Sequence, residues 1–358
     1  MRVRRPIEAM SKRCCAGGAR LIRPCVGTAS PAAGRRALPR APGLVSTALL
    51  VAVACVGAGC GTGGSGSGSG KGLEIVATTT QLGDFVRAVG GASVDVHQIL
   101  KPNTDPHEYE PRPLDIAATS GARIVFLSGN NLDGWMAKVI DESGGRPTRV
   151  TIAPRFTPYR LPGEAKGPEA SKYDPHWWHD PRNAEAAVAA IRDALARADP
   201  AGAARFTTNA NAYLAKLHTL DVGIARCFDQ VPRSQRKLVT SHDAFDYFAR
   251  RYAIRVVGAV IPAQTTQAQP SAGALARLTA LVRREHVKAI FPESSLNPKL
   301  ERALAEQTGA SAAYTLYGDT LGPAGSPGAT YLSMEQANAD SMIRGMTGGR
   351  SRCVIPRL

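Results

Sequence analysis

The stretch FTTNANAYLAKLHTLDVGIARCF, residues 206–228, decides the fold because its apolar residues recur at steps of three and four. That spacing places them on one face of an α-helix. The face comprises Phe206, Ala210, Tyr213, Leu214, Leu217, Leu220, Ile224 and Phe228. A helix over residues 203–228 would have about 26 residues and a length of roughly 39 Å. We expect so long a helix to lie along two lobes and to join them rigidly.

Segments of alternating strand and helix character flank this helix on both sides. Before it, LEIVATT at 73–79 and ARIVFLSG at 122–129 predict buried strands, and QLGDFVRAVG at 81–90 predicts an amphipathic helix. After it, RKLVT at 236–240 predicts a strand and HDAFDYFARRY at 242–252 predicts a helix. Such alternation indicates parallel sheets with helices on both faces. The predicted fold class is therefore α/β, with two lobes that each contain a mostly parallel sheet flanked by helices.

Composition and pattern divide the chain into five predicted segments. They are a signal peptide with a long basic n-region at 1–59, a lipidated cysteine and Gly/Ser tether at 60–72, a first lobe at 73–180, a connecting region with the long helix at 181–235, and a second lobe at 236–358. Within the second lobe, further strands are predicted at 287–293 and 311–317. The segment 318–330 is rich in Gly and Pro, and we expect it to be a mobile gate.

The first 60 residues have the character of an export signal. An Arg-rich stretch precedes the apolar run LVSTALLVAVACV at 44–56, and its 13 residues are fewer than a membrane-spanning helix needs. The run ends in small residues, and Cys60 is followed by a Gly/Ser tether, as in bacterial lipoprotein signals. Cys55 is a competing site, and ordinary secretion without a lipid is the alternative. We expect lipidation at Cys60 and anchoring to the outer face of the cytoplasmic membrane.

The formal net charge of +15 first suggests a nucleic-acid or membrane partner. Residues 1–43, however, hold ten Lys/Arg and one acidic residue, a net charge of +9. Residues 60–358 hold 34 basic and 28 acidic residues, a net charge of +6. The excess charge thus lies mainly in the predicted signal, and we predict no nucleic-acid partner.

Cys227 and Cys353 remain as an even pair in the exported part of the chain once Cys60 is acylated. An oxidising compartment favours a disulfide between them. Two buried free thiols are the alternative. A bridge would tie the C-terminal tail to the second lobe.

Two short stretches begin Asp-Pro-His, namely DPHEYEP at 105–111 and DPHWWHDP at 174–181. Proline fixes its own φ angle and keeps the residue before it extended, so the histidine is presented from a stiff loop. An aspartate two residues before a histidine can also accept the second ring N–H of that histidine. Asp105 and Asp174 are therefore expected to accept hydrogen bonds from the ring N–H groups that face away from a bound metal.

Several candidate metal ligands follow predicted strands. His107, His242 and Asp319 all come after such strands, and in open α/β sheets ligands bind beyond the carboxyl ends of strands. His176 begins the segment that leads into the helical connection. The spacings between these residues are long and form no local metal motif. Spacing alone therefore leaves structural, hydrogen-bonded histidines as an alternative.

These motifs resemble the substrate-binding lipoproteins of bacterial zinc/manganese ABC transporters. The family's motifs run Asp-Pro-His-x-Tyr-Glu-Pro, Asp-Pro-His-x-Trp-x-Asp-Pro and His-Asp-Ala-Phe-x-Tyr-Phe, and all three occur here in that order. The resemblance extends over residues 73–346 and implies a metal buried in the cleft between the lobes. It implies four metal ligands: His107, His176, His242 and Asp319. It also implies that Glu293 lies near the site; Glu293 is the alternative fourth ligand, but we expect it to support the site without binding the metal.

His179 stands three residues after His176, where the family usually has an apolar residue, so we do not expect it to bind the metal. Three imidazoles and one carboxylate suit Zn²⁺. Mn²⁺ is the alternative ion. It favours more carboxylate oxygens, and manganese-binding members often have Glu where this chain has His242.

The resemblance implies an extracytoplasmic protein that captures a divalent transition metal and delivers it to the permease and ATPase of an ABC importer. We expect a monomer that is not an enzyme. One alternative is a zinc-dependent hydrolase in which Glu293 or Asp243 acts as general base, but four protein ligands leave no open position for catalytic water. A surface adhesin is a further alternative, although the sequence has no repeat or extra module to support it.

Overall fold

The computed structural model describes residues 72–155, 159 and 171–356. The predicted signal peptide and Cys60 lie outside the described residues, as does nearly all of the tether. No helix within the described ranges is both long enough and apolar enough to cross a membrane.

The first sheet has four parallel strands in the order β2-β1-β3-β4. The strands are β1 (Leu73–Ala77), β2 (Val94–Gln98), β3 (Ile124–Leu127) and β4 (Thr148–Thr151). The associated helices are α1 (Thr80–Gly90), α2 (Pro113–Gly121) and α3 (Met136–Ser143). Side chains alternate between the two faces of a strand. Ile75 and Phe126 therefore share a core with Phe85 of α1, while Val125 on the other face packs in a core with Met136 of α3.

The second half of the chain contains a shorter sheet and four helices. The parallel pair is β5 (Lys237–His242) and β6 (Arg255–Ile261). The helices are α6 (Asp246–Arg251), α7 (Ala272–Arg284), α8 (Lys299–Thr308) and α9 (Tyr331–Thr347). The predicted α/β class and parallel sheets flanked by helices are thus found in both halves. The predicted lobe boundaries stay predictions.

The strands expected at 287–293 and 311–317 are not regular strands. They extend the β5–β6 sheet only through single parallel bridges, such as Thr240 to Phe291 and Glu293 to Leu316. Phe291 N–H donates to the Val239 carbonyl over 2.8 Å. Pro292 faces the 311–317 segment, where its carbonyl accepts the Leu316 N–H over 2.8 Å, but it has no N–H to donate, so the pairing with 311–317 is interrupted there.

Two helices, α4 (Pro181–Ala198) and α5 (Ala203–Asp229), connect the halves of the chain. Helix α5 has 27 residues and is the predicted long helix. Helix α4 was not predicted; it begins at Pro181 after an Asp180 cap, whose side chain accepts the Arg182 N–H. The two helices pack against each other across a short turn. Within this helical hairpin, α5 packs on both α1 and α9 and is the long helix that joins the halves.

The structure joins Cys227, near the end of α5, to Cys353 in the tail by a disulfide. The tail also packs on α5 through Ile355, which lies so close to Gly223 that a Cβ there would approach it to 2.6 Å. The tail is thus fastened to the long helix, and the Cys353 N–H also donates to Asp340 Oδ1 on α9 of the second half, over 2.9 Å.

Two element boundaries differ from prediction for local reasons. β5 extends to His242, which pairs with Ile261 of β6, so α6 begins at Asp246 and not at residue 242. Helix α3 begins at Met136 and not at residue 132. The chain before it turns through Asn130 and Asn131, whose φ angles are positive, at 51° and 66°. Asparagine tolerates this left-handed region better than most residues, but a left-handed backbone interrupts a right-handed helix.

Candidate metal centre

The four predicted ligands come together at one point, and one ligand atom from each lies within 4.8 Å of all the others. Asp319 Oδ1 is 3.4 Å from Nε2 of both His176 and His242, and 3.8 Å from Nε2 of His107. His176 Nε2 is 3.4 Å from His107 Nε2 and 3.3 Å from His242 Nε2. A tetrahedral ion with bonds of about 2.0–2.1 Å places its ligand atoms about 3.3–3.4 Å apart. The cluster therefore fits a four-coordinate ion.

The two Asp-Pro-His stretches form matching turns. Asp105 Oδ1 accepts the backbone N–H of His107, and Asp174 Oδ1 accepts that of His176, both over 2.9 Å. Each aspartate thereby fixes the backbone of the histidine that stands two residues after it. Asp174 also contacts its histidine ring, as predicted, while the described contacts of Asp105 are with the His107 backbone and with Thr266.

Carboxylates behind two of the rings fix the orientation of the imidazoles. Asp174 Oδ1 lies 2.8 Å from His176 Nδ1, and Glu293 Oε1 lies 3.1 Å from His242 Nδ1. A carboxylate only accepts, so each Nδ1 carries a hydrogen, and each Nε2 can direct a lone pair into the cluster once it has lost its own proton. Lone pairs this close repel one another unless a cation lies between them. The donor set of three nitrogens and a carboxylate therefore suits a metal ion.

Asp319 supplies the negative charge of the cluster. Its side chain is fully buried, and neither carboxylate oxygen has a hydrogen-bond partner among the described residues. A buried carboxylate without hydrogen bonds is costly unless a cation is nearby. Burial opposes its ionisation, but the neighbouring His242, His107 and His176 hold the pKa of Asp319 well below its ordinary value.

The pKa values of two of the histidines shift upward, in the opposite direction to that of Asp319. Burial disfavours the imidazolium of His242, but the carboxylates of Glu293 and Asp319 outweigh it and raise the pKa well above the ordinary value. His176 shows the same balance, with burial overcome by Asp174 and Asp319, so its pKa is also raised. Imidazole must lose its proton to bind a metal, so metal uptake here competes with protons.

Residues from the first half of the chain hold the segment that carries Asp319. Gln81 Nε2 donates to the Asp319 carbonyl over 2.9 Å, and Leu321 N–H donates to Thr80 Oγ1 over 2.8 Å. Residues 318–321 are all buried. The mobile gate expected at 318–330 stays a prediction, and the hydrogen bonds of this part of the segment would have to break for it to open. No local sequence pattern signals these contacts.

His107, from the first half of the chain, is held by a loop of the second half that follows β6. Thr266 Oγ1 donates to Asp105 Oδ2 over 2.6 Å, and Gln267 Nε2 donates to the His107 carbonyl over 2.5 Å. His107 is the most exposed of the four predicted ligands, at 3%, whereas the other three are at 0%. Sequence reasoning missed both partners, which lie about 160 residues away along the chain.

Asp115 anchors the chain that follows His107. Its carboxylate accepts hydrogen bonds from the Tyr109 hydroxyl, from the Arg112 backbone N–H at 2.9 Å, and from His97 Nε2 at 3.0 Å. Burial raises its pKa, but these donors outweigh that effect and lower the pKa to about 2. The turn that presents His107 is thus fastened to the start of α2.

Gly318 makes room for the carboxylate behind His242. A Cβ on Gly318 would lie 2.2 Å from Glu293 Oε2 and 3.0 Å from Glu293 Cδ. Glu293 Oε1 accepts the His242 backbone N–H over 3.0 Å, so the carboxylate has little freedom to move away. The absence of a side chain at position 318 therefore permits the orientation of the His242 ring.

Together, the fold and the buried cluster place the chain in the class of metal-binding solute-binding proteins. The model of the family described as "Zinc-uptake complex component A periplasmic" matches residues 75–345, and the chain belongs to this family.

Relatives and solved structures agree with this assignment. The manganese-binding lipoprotein MntA of Halalkalibacterium halodurans is 31% identical over 275 residues, which cover 77% of this chain and 89% of the relative. The iron-binding protein YfeA of Yersinia pestis is 30% identical over 272 residues, covering 76% and 86%. The solved structure of the periplasmic zinc binding protein TroA from Treponema pallidum is 27% identical and superposes with a TM-score of 0.69, covering 77% of this chain and 99% of that one.

These similarities confirm the predicted family, the α/β fold and the absence of an enzymatic role. The chain is a metal-binding protein of the substrate-binding type that serves ABC importers. Its predicted place outside the cytoplasm is confirmed as well, because the matching proteins are named as lipoproteins and periplasmic proteins. The names of the relatives divide between manganese, iron and zinc, so they do not identify the ion.

Proposed function

We propose that this protein captures Zn²⁺ outside the cytoplasm and hands it to the permease and ATPase of an ABC importer. The ligands would be Nε2 of His107, His176 and His242 together with the Asp319 carboxylate. The observation that carries the proposal is the spacing of 3.3–3.8 Å between the neighbouring ligand atoms. Spacing of this kind suits a small tetrahedral ion with nitrogen-rich ligands.

Zinc is favoured over manganese by the kind and number of donors. Mn²⁺ favours carboxylate, carbonyl and water ligands, whereas imidazole suits zinc. Here one carboxylate stands against three imidazoles, and two of the rings are held by carboxylates behind them. Manganese or iron remains the second candidate, because the second oxygen of Asp319 also lacks a hydrogen-bond partner among the described residues and could bind as well.

Metal content and affinity test this proposal. Protein purified without chelator should show anomalous scattering at the zinc edge and not at the manganese edge. His176→Ala should weaken zinc binding at least tenfold in a competition titration, because it removes one of four ligands. His218→Ala is the matched control, since His218 is exposed on α5. Unchanged affinity in His176→Ala would remove the residue from the site, and tighter binding of manganese than of zinc would overturn the choice of ion.

We also propose Cys60 as the membrane anchor of the exported protein. The support is the Gly/Ser tether that follows it and the lipoprotein names of the relatives. Cys60→Ala should release the protein from the membrane fraction, whereas Cys55→Ala should leave it bound. Retention of the Cys60→Ala protein on membranes would contradict this assignment.

A further inference from the structure

His179 lies outside the ligand cluster but bridges two other buried groups. Its Nδ1 is 2.7 Å from Glu335 Oε1 on α9, and its Nε2 is 2.9 Å from the carbonyl oxygen of Gly318. The ring stacks on Phe245 with centroids 4.3 Å apart and an interplanar angle of 26°. His179 and Glu335 are both fully buried. The ring is thus held on both edges and on one face.

The hydrogen bond to Gly318 does not depend on the charge of the pair. A carbonyl oxygen only accepts, so Nε2 of His179 must carry a hydrogen. On the other edge, either Nδ1–H donates to the carboxylate of Glu335 or a protonated Glu335 donates to Nδ1. Glu335 Oε2 has no hydrogen-bond partner among the described residues, which leaves His179 as the group that satisfies this buried side chain.

Gly318 directly precedes the predicted ligand Asp319, and the backbone around that ligand is fixed on both sides. The Gly318 carbonyl accepts a second hydrogen bond from Trp178 Nε1 over 3.0 Å. The Asp319 carbonyl in turn accepts one from Gln81. Because both flanking carbonyls are hydrogen-bonded, the backbone of Asp319 is fixed in position. From this position its Oδ1 lies 3.4 Å from Nε2 of His176 and of His242.

We propose that Glu335 and His179 are positioning residues, which hold the Gly318 peptide so that the Asp319 carboxylate meets the metal. This inference rests on the proposed function, because it assumes that Asp319 is a ligand. Helix α9 contributes no metal ligand, yet through this pair it sets the place of the only carboxylate in the cluster. Groups that orient metal ligands typically change affinity by about 10–100-fold when they are lost.

The first test replaces the pair and measures zinc affinity by competition titration. His179→Leu removes the hydrogen bond to Gly318 and should weaken zinc binding about tenfold. It also leaves Glu335 buried without its partner, which can impair folding. The double variant His179→Leu/Glu335→Leu removes that charge as well. It should regain the thermal stability of the metal-free wild type while its zinc affinity stays low. Recovery of wild-type affinity in the double variant would show a merely structural pair and overturn the proposal.

Two further variants isolate the route through Asp319. Glu335→Gln keeps a hydrogen-bonding partner for Nδ1, so it should bind zinc within about threefold of wild type. In an Asp319→Asn background, His179→Leu should cost little further affinity, because residues that act through one another are not additive. A full additional tenfold loss in that background would exclude action through Asp319.

The two proposals fail differently in this experiment. If the wild type binds neither Zn²⁺ nor Mn²⁺, the proposed function is wrong. If the wild type binds metal and the variants bind it equally well, only the positioning role is wrong. Manganese is titrated in parallel, so the test holds for either ion.

Discussion

Replacing Gly318 with Ala should weaken metal binding without touching a ligand. The new Cβ would lie 2.2 Å from Glu293 Oε2, whereas non-bonded heavy atoms rest roughly 3.5 Å apart, so the carboxylate must retreat by about 1 Å. Glu293 also holds the His242 backbone N–H and ring, at 3.0–3.1 Å. The displacement is therefore passed to the His242 imidazole, which loses its orienting partner.

The size of the effect follows from the role of that partner. Loss of a carboxylate behind a metal-binding histidine costs about 10–100-fold in affinity, or about 1.4–2.7 kcal/mol. A zinc competition titration measures it, with circular dichroism to show that the metal-free fold is intact. Gly273→Ala is the matched control, because the nearest atom to a Cβ there is 3.5 Å away, an ordinary contact.

A second background separates this route from general damage. Glu293→Ala already removes the group that Gly318→Ala would displace, so the two substitutions together should be little worse than Glu293→Ala alone. Wild-type affinity in Gly318→Ala, or full additivity with Glu293→Ala, would refute the reasoning.

Three further predictions concern stability and release. Cys353→Ser opens a loop of 126 residues and should lower the free energy of unfolding by about 4–5 kcal/mol, measured by denaturant titration with and without reductant. Asp115→Asn should cost about 2 kcal/mol at neutral pH, because the pKa of Asp115 falls from 3.8 to about 2 on folding. That stabilisation is present above the unfolded pKa and is lost as pH falls through the folded one, so pH-dependent unfolding curves of the two proteins should converge towards pH 2. Gln267→Ala removes a bond to the His107 backbone and should speed zinc dissociation severalfold in stopped-flow chelation; an unchanged rate would exclude this loop from release.

Apolar periodicity predicted the long helix of the fold. Helix α5 carries large residues such as Phe206 and Leu217 on one face, and its predicted start at residue 203 matches the structure. Helix α4 was not predicted, although its buried residues Ala184, Val188, Ile191 and Leu195 also recur at helical spacing.

The ligand cluster was predictable because short motifs carry it, whereas its supports were not. Asp174 stands two residues from His176, so its contact with the ring could be read from local geometry. Gln81 and Asp319 are 238 residues apart, and their hydrogen bond depends on how the halves of the chain pack. Long-range polar pairs leave no periodic trace in a single sequence. His179 shows the same limit, since its role depends on Glu335, 156 residues away.

Asp319 and His107 are each hydrogen-bonded to side chains from the other half of the chain. These hydrogen bonds constrain how metal enters and leaves the site. Asp319, from the second half of the chain, is held by Gln81 and His179 from the first, whereas His107, from the first half, is held by Gln267 from the second. A hinge motion of the two halves would therefore pull ligands away from both sides at once. A long helical hairpin between the halves also resists such bending, because bending strains hydrogen bonds along each helix.

Local movement on the His107 side requires the least disruption. Among the described residues, Thr266 and Gln267 make two hydrogen bonds to the His107 loop, and His107 is the ligand nearest to solvent. The Asp319 segment is fully buried and is held by four described side chains, namely Thr80, Gln81, Trp178 and His179. The hydrogen bonds from Thr266 and Gln267 are partly buried, whereas those of the Asp319 segment are fully buried, where each group left unpaired also loses contact with water. We therefore expect metal exchange to proceed past His107 while Asp319 stays in place.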